Sequence, residues 1–316
     1  MLLAFLNDFE AKIYVAGHRG LVGSSLVRAL NSRGYHNLVS RTHAELELCE
    51  REKVEQFFAD EKPDYVFLAA SRVGGIGANS RYPAEFIHEN LLVSTNVIHA
   101  AHLNGVRKLL NLGSSCIYPR LAPQPIRESS LLDGYLEPTN RAYAVAKIAA
   151  IEMCDSYRAQ YGCNFISAMP CNLYGPRDNF NLETAHVLPA LLRKMAEAKE
   201  ARMRTIPIWG SGQPLREFLY VEDLADAVIF LMEHFSEPGP INVGAGEEIS
   251  IKNLCLKLSE VVDFKGDFAF DPSKPDGTPR KLLDSSRIND LGWTPKVNLH
   301  TGITKTYQWF LKNRPA

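Results

Sequence analysis

The feature that most constrains this chain is the run Gly17-His18-Arg19-Gly20-Leu21-Val22-Gly23, set between a β-type apolar stretch at 12–16 and a helical one at 24–32. Three glycines at this spacing let the backbone turn tightly from a strand into a helix. They also let an anion approach the helix N-terminus, where free amides and the positive end of the dipole meet it. The turn therefore points to a nucleotide pyrophosphate as ligand and to a parallel sheet behind it. The same alternation continues downstream, with strands expected at 38–40, 65–69, 108–112 and 165–169 and helices at 51–59, 86–103 and 143–161. The strand at 65–69 is apolar throughout, as a strand covered on both faces must be. Strands and helices in this order predict an α/β chain with a doubly wound parallel sheet.

After Pro170 the pattern changes: Gly, Pro and Asn cluster at 172–179, followed by a helix at 187–199, a short strand at 206–209 and a glycine turn at 210–212. The helix at 223–235 and the strand at 241–243 look able to return to the main sheet. The expected division is a nucleotide-binding domain at 11–170 plus about 217–244, and a smaller α/β substrate domain at about 171–216 plus 245–316.

Composition narrows the ligands. Lys+Arg 35 against Asp+Glu 36 leaves a formal net charge of −1, so no overall basic field exists to hold a nucleic acid. An anionic ligand must be met by local cations. The six cysteines (Cys49, Cys116, Cys154, Cys163, Cys171, Cys255) show neither a CxxC pair nor metal-ligand spacing, and read as free thiols with no metal site. The apolar run at 2–6 is short and is followed by Asp8 and Glu10, so no secretory signal is expected. No apolar stretch approaches the roughly 18 residues of a membrane span. A cytoplasmic location is expected.

Cofactor choice is read after the second strand, in Ser40-Arg41-Thr42-His43, where no carboxylate precedes Glu45. An NAD enzyme usually grips the ribose 2′-hydroxyl there with Asp or Glu, whereas a 2′-phosphate calls for cations. Arg41 and His43, with Arg19 in the turn, favour NADP, unless Arg41 and His43 are merely solvated. Further on, Tyr143-Ala144-Val145-Ala146-Lys147 places a phenol and an ammonium one helical turn apart on one face. Lys147 is expected to lower the pKa of Tyr143 from about 10 and to bond the nicotinamide ribose. Ser114, just past the strand at 108–112, can donate to the carbonyl oxygen that Tyr143 protonates.

These runs resemble the GDP-L-fucose synthase family of extended short-chain dehydrogenases/reductases. The resemblance extends from about Lys12 to Leu311, and its most specific stretches are Ser114-Ser115-Cys116-Ile117-Tyr118-Pro119 and Lys274-Pro275-Asp276-Gly277-Thr278-Pro279-Arg280-Lys281. It implies a Rossmann fold, NADP(H) and GDP-4-keto-6-deoxy-D-mannose as substrate. The implied reaction epimerises C3 and C5, then reduces the C4 ketone. It gives Cys116 and His186 the proton exchanges of epimerisation, as a thiol and an imidazole titrating close to neutrality, with Tyr143 and Ser114 holding the enolate oxygen. Without it, Cys116 reads as a small buried apolar residue and His186 as a neighbour of a helix cap. It adds Leu112, Gly113, Ser115, Pro170, Cys171, Asn172, Leu173 and His186 to the cofactor residues. To the GDP group it assigns Lys194, Trp209, Arg216, Asp276 and Lys281, although Trp209 could equally be core. The chain departs from the family pattern at His43, Cys171, Phe180-Asn181-Leu182, Ala185 and Lys194. The resemblance also favours a homodimer built on the helices at 86–103 and 143–161. A different nucleotide-sugar epimerase or reductase, or a non-catalytic NADP-binding protein, remains open at this level.

Overall fold

The computed structural model describes Phe5 and residues 8–314; the apolar run at 2–6 lies outside the described residues except for Phe5. In chain order come β1 (Ile13–Ala16), α1 (Leu21–Ser32), β2 (Leu38–Val39), α2 (Arg51–Glu61), β3 (Tyr65–Leu68), α3 (Ile76–Arg81), α4 (Pro83–Leu103) and β4 (Lys108–Leu112). Next are α5 (Arg141–Tyr161), β5 (Phe165–Pro170), β6 (Asn172–Tyr174), α6 (Val187–Glu200), β7 (Thr205–Trp209), β8 (Leu215–Tyr220), α7 (Val221–His234) and β9 (Pro240–Val243). The remainder comprises β10 (Glu248–Ser250), α8 (Ile251–Val262), β11 (Asp267–Asp271), β12 (Arg280–Lys281), α9 (Ser286–Asp290) and α10 (Leu299–Asn313).

The main sheet has the order β2-β1-β3-β4-β5-β9, parallel throughout. Its strands are apolar on both sides because alternate side chains enter different cores. Ile13 and Val15 join Leu26 of α1 and Val228 of α7, while Tyr14 and Ala16 join Phe58 of α2 and Val97 of α4. Between β1 and β3 the chain reverses its direction of travel across the sheet, opening the crevice where nucleotides bind in such folds. Lys108 of β4 ties the far face together: its buried ammonium donates to the carbonyls of Leu231, Met232 and Phe235 at 3.1, 2.8 and 2.5 Å, closing the C-terminus of α7.

Several helices begin earlier than the apolar spacing predicted. The glycine turn hands over directly to α1 at Leu21, with Gly20 as its cap residue. Pro83 starts α4, since a proline costs nothing at a position whose N–H has no helical acceptor. The short α3 leaves no signature in the sequence pattern, since six residues give too little periodicity to read.

The second region is less regular. β8 pairs with β10 antiparallel and with β6 and β12 parallel, and β7 pairs with β11. Its own core combines α6, α8 and α10 with Ile206, Ile208 and Phe218. β8 lies wholly in this second sheet, so the chain crosses back to the main sheet after Tyr220, where α7 begins. The site lies where the carboxyl ends of β1, β3, β4 and β5 meet β8, β12 and the start of α6.

Candidate active site

The glycine turn is built by contact as much as by conformation. Gly17 has φ +84, and a Cβ there would come within 2.9 Å of the Ala70 backbone just beyond β3. A Cβ on Gly23 would lie 2.2 Å from the Gly17 carbonyl oxygen, so α1 could not pack onto the turn. The Gly20 N–H donates to Gly17 O at 3.0 Å, and Leu21 and Val22 follow with first-turn amides that have no helical acceptor. This cradle fits a pyrophosphate. Beside it, His18 is pushed down in pKa by partial burial and then by Arg19.

The three side chains expected near the 2′-phosphate differ. Arg19 is exposed. Arg41 donates to Ser40 O at 2.9 Å and to Glu61 at 2.5 Å, with its guanidinium over the Phe57 ring. His43, 88% exposed, pairs with Glu47 at 2.7 Å. Arg41 is therefore fixed at the crevice rim by a carboxylate, while His43 is the solvated residue that the simpler reading allowed.

At the end of β4, Ser114 caps a 3-10 turn at Ser115–Ile117, its Oγ accepting from Cys116 N at 3.2 Å. This places Ser114 and Cys116 on one turn facing the first turn of α5. There Tyr143 stands, its ring edge-on to Phe86 at 6.3 Å. The expectation that Lys147 lowers the Tyr143 pKa is not met. Burial pushes the phenol well up, the neighbouring Cys116 sulfur adds to that, and only Ser114 and Ser71 act in the other direction. Lys147 lies over the ring and not at the phenol oxygen: its Nζ donates to Leu112 O at 2.8 Å and stands 5.9 Å from the Tyr143 ring centroid. Burial in turn pushes the Lys147 ammonium down to about 8. Helical spacing set the face correctly, but the lysine reaches a strand carbonyl before it reaches the phenol.

The Cys116 sulfur has polar partners on two sides. Asn140 Nδ2 lies 3.2 Å and Lys281 Nζ 3.3 Å from its sulfur. Burial pushes the thiol up, but Lys281, Ser114 and Arg216 together hold it below the ordinary thiol value. His186 is the cap residue of α6, yet its side chain makes no cap hydrogen bond and remains accessible in the cleft. Desolvation of the ring and then Lys281 push its imidazole down. The expectation of an imidazole poised near neutrality is thus corrected for His186, which desolvation and then Lys281 push down to about 4, whereas the Cys116 thiol moves down from its ordinary value.

The loop carrying His186 is clamped by backbone contacts. Gly75 N donates to Thr184 O at 2.9 Å, and a Cβ on Gly75 would come within 2.4 Å of Ala185 O. Asn181 builds the same loop, accepting from Glu183 N at 2.9 Å through its side chain and from Ala185 N at 2.8 Å through its carbonyl. On the opposite wall, Pro170 ends β5 and Cys171 is buried, its thiol pushed well up by burial and then by Glu217. Asn172 donates to Glu217 O at 2.8 Å, and Leu173 is half-buried beside it. Gly113 packs against Met169, where a Cβ would meet the sulfur at 2.3 Å.

The residues assigned to GDP form one continuous rim. Lys281 and Arg216 are register partners across β12 and β8. Arg216 Nη2 donates to Asp276 O at 3.1 Å, and the Asp276 carboxylate accepts from Ser211 N and Oγ at 2.8 and 2.7 Å. Trp209 is 57% exposed, not core, and Lys194 Nζ reaches Pro207 O on the same strand at 3.4 Å. Two further residues were missed from sequence: Ser71, which bonds the buried Asn90 and faces Tyr143, and Asn140. Their signals were faint but real, a hydroxyl just past the end of β3 and an amide three residues before Tyr143.

Residues 13–244 match the model of the NAD dependent epimerase/dehydratase family. A probable GDP-L-fucose synthase 1 of Oryza sativa subsp. japonica is 60% identical over 98% of this chain and 95% of its own. The GDP-L-fucose synthase of Escherichia coli K12 is 52% identical over 96% of this chain and 98% of its own. Among solved structures, a GDP-L-fucose synthetase from Naegleria fowleri bound to NADP superposes with TM-score 0.89 at 30% identity, covering 96% of this chain and 95% of that one. With the glycine cradle, the Ser114–Tyr143–Lys147 group and nearly full-length similarity in agreement, the chain belongs to the NAD dependent epimerase/dehydratase family, as an extended short-chain dehydrogenase/reductase.

Proposed function

We propose that this protein is a bifunctional epimerase and reductase that converts GDP-4-keto-6-deoxy-D-mannose to GDP-L-fucose with NADPH. The observation that carries the reading is Cys116 on the same turn as Ser114, with Tyr143 opposite both. A group that polarises a ketone and a group that removes a proton beside it can then serve one substrate carbonyl. Relatives bearing the name GDP-L-fucose synthase, and a neighbour bound to NADP, support substrate class and cofactor.

The chain's own residues divide the work. The glycine cradle and the α1 amides hold the cofactor pyrophosphate, with Arg19 and Arg41 for the 2′-phosphate. NADPH, when bound, supplies the hydride for C4. The Arg216–Asp276–Trp209–Lys194 rim receives the GDP group. Ser114 and Tyr143 donate hydrogen bonds to the ketone oxygen, which stabilises the negative charge that develops there as an adjacent C–H proton leaves. One of Cys116 and His186 takes that proton and the other returns one on the opposite face. A phenol pushed up by burial keeps its proton at neutral pH, so Tyr143 stands ready as the donor that completes the alcohol. Residues 11–170 with about 221–244 would hold the cofactor, the rest the sugar nucleotide, because β8 up to Tyr220 belongs to the second sheet. Half-exposed Leu91 and Leu92 on α4 and exposed Val145 on α5 suit a homodimer seam, which sedimentation of Val145→Glu against the parent would test.

The direct experiment is incubation with GDP-4-keto-6-deoxy-D-mannose and NADPH, following NADPH oxidation and identifying the product by NMR. GDP-L-fucose is expected. Absence of turnover, or a C4-reduced product with unchanged C3 and C5, would overturn the reading.

A further inference from the structure

The least expected placement in the site is that of Lys281. It closes the Lys274–Lys281 stretch and pairs in register with Arg216, as a phosphate-binding residue would, yet its ammonium lies 3.3 Å from the Cys116 sulfur. Asn140 donates to the same sulfur from the other side at 3.2 Å. The two come from places far apart in the chain, β12 and the residue before α5, and Cys116 itself sits on the turn after β4. A neutral thiol gains little from an ammonium and an amide N–H aimed at its sulfur, because both are donors and the thiol proton must turn away from them. A thiolate gains charge-assisted hydrogen bonds from both.

We propose that Lys281 and Asn140 are positioning residues for epimerisation: between them they hold Cys116 as a thiolate, which makes the sulfur the group that removes the proton next to the ketone. The inference deepens the proposed function and rests on it for the identity of the substrate. In the step itself, a C–H bond adjacent to the C4 carbonyl breaks, an S–H bond forms, and the electron pair moves onto the carbonyl oxygen held by Ser114 and Tyr143. His186, accessible in the cleft, returns a proton from the opposite face.

The other charged and titratable groups around the sulfur are few. Arg216 on β8 acts with Lys281; Tyr143 on α5 is kept in its neutral form; Glu137, ahead of α5, lines the same small cavity as Cys116 and Lys281 and is felt by Arg216. The net field at the sulfur is therefore positive. Desolvation and then Lys281 push the His186 imidazole down, so Lys281 adds to a bias of the pair toward thiolate and neutral ring. A neutral, accessible imidazole can take up the proton it needs from solvent.

The test compares the parent protein with Lys281→Met, Lys281→Arg and Asn140→Ala, each saturated with NADPH. Alkylation of Cys116 by iodoacetamide is followed across pH and resolved peptide by peptide, because the chain has six cysteines. Lys281→Met should raise the midpoint of the alkylation profile by about one pH unit or more, Asn140→Ala by less, and Lys281→Arg should restore at least half of the shift. Solvent deuterium incorporation at C3 and C5 should slow about tenfold or more at neutral pH in Lys281→Met and recover as pH rises. An unchanged midpoint in Lys281→Met, an equal shift in Lys281→Arg, or a rise in KM with no loss of kcat would each overturn the proposal. The thiol titration needs no substrate. A parent enzyme that ignores GDP-4-keto-6-deoxy-D-mannose would therefore sink the function while leaving the Lys281–Cys116 question answered.

Discussion

The cleft has two corners, each with a lysine beside an acidic group, and they are assembled differently. In the tyrosine corner Lys147 and Tyr143 share one helix, yet the lysine bonds Leu112 O and leaves the phenol high. In the cysteine corner Lys281 arrives from 165 residues away and points its ammonium at the sulfur, which is held low. Neighbours in sequence need not be electrostatic partners; what decides is which acceptor the long side chain meets first. The corners also suit their chemistry. A proton donor in reduction should keep its proton, and a base in epimerisation should already have lost it.

The largest test of that contrast removes the acid from each corner. Tyr143→Phe should lower NADPH-dependent reduction about 10²–10⁴-fold, the usual worth of a positioned proton donor, and slow deuterium exchange as well, because the same phenol holds the enolate oxygen. NADPH affinity, measured by fluorescence titration, should change little. Cys116→Ser should instead abolish exchange at C3 and C5 while C4 reduction of the unepimerised sugar continues. Equal loss of both activities in the two variants would mean that the corners do not divide the chemistry.

The same contrast decides how much could be read from sequence. The glycine turn, the parallel sheet and the Tyr143–Lys147 pair are local patterns, carried by spacings of two, three or four residues. They were legible because each element's period survives in its own stretch of chain. The cysteine corner joins the end of β4, the residue before α5, β12 and the start of α6, through side chains separated by up to 165 residues. No period encodes that, and only resemblance singled out Cys116, His186 and Lys281. Similarly, β6, β8, β10 and β12 are short strands of mixed direction whose pairing is fixed by tertiary packing. Ser71 and Asn140 were missed because a single hydroxyl or amide in a loop is ordinary until its partner is known.

A smaller effect should follow pH. Burial alone lowers Lys147, to about 8, so its ammonium is lost as pH rises through that value. If the charge contributes to holding the cofactor ribose, the NADPH dissociation constant should rise severalfold above pH 8 and stay flat below it. Lys147→Met should bind more weakly at neutral pH and lose the dependence. A parent profile flat to pH 10 would show that the ammonium acts through Leu112 O as a structural tie.

The smallest expected effect separates the cations near the glycine turn. Arg41 already satisfies Glu61 and the Ser40 carbonyl, and Glu61 is shared with Lys12 at 3.2 Å. Recruiting it to a phosphate means weakening an existing pair, whereas exposed Arg19 needs only to close on the ligand. Arg19→Ala should therefore raise the KM for NADPH by about fivefold and leave that for NADH unchanged, since an exposed charge on a phosphate is worth roughly 1 kcal/mol. Arg41→Ala should cost less in cofactor preference and more in thermal stability, because it leaves Glu61 with one cation fewer. The pair of measurements has a clear reverse outcome. Loss of NADPH preference in Arg41→Ala but not in Arg19→Ala would mean that Glu61 releases the guanidinium on binding, and the rim would then be a switch between an internal carboxylate and the 2′-phosphate.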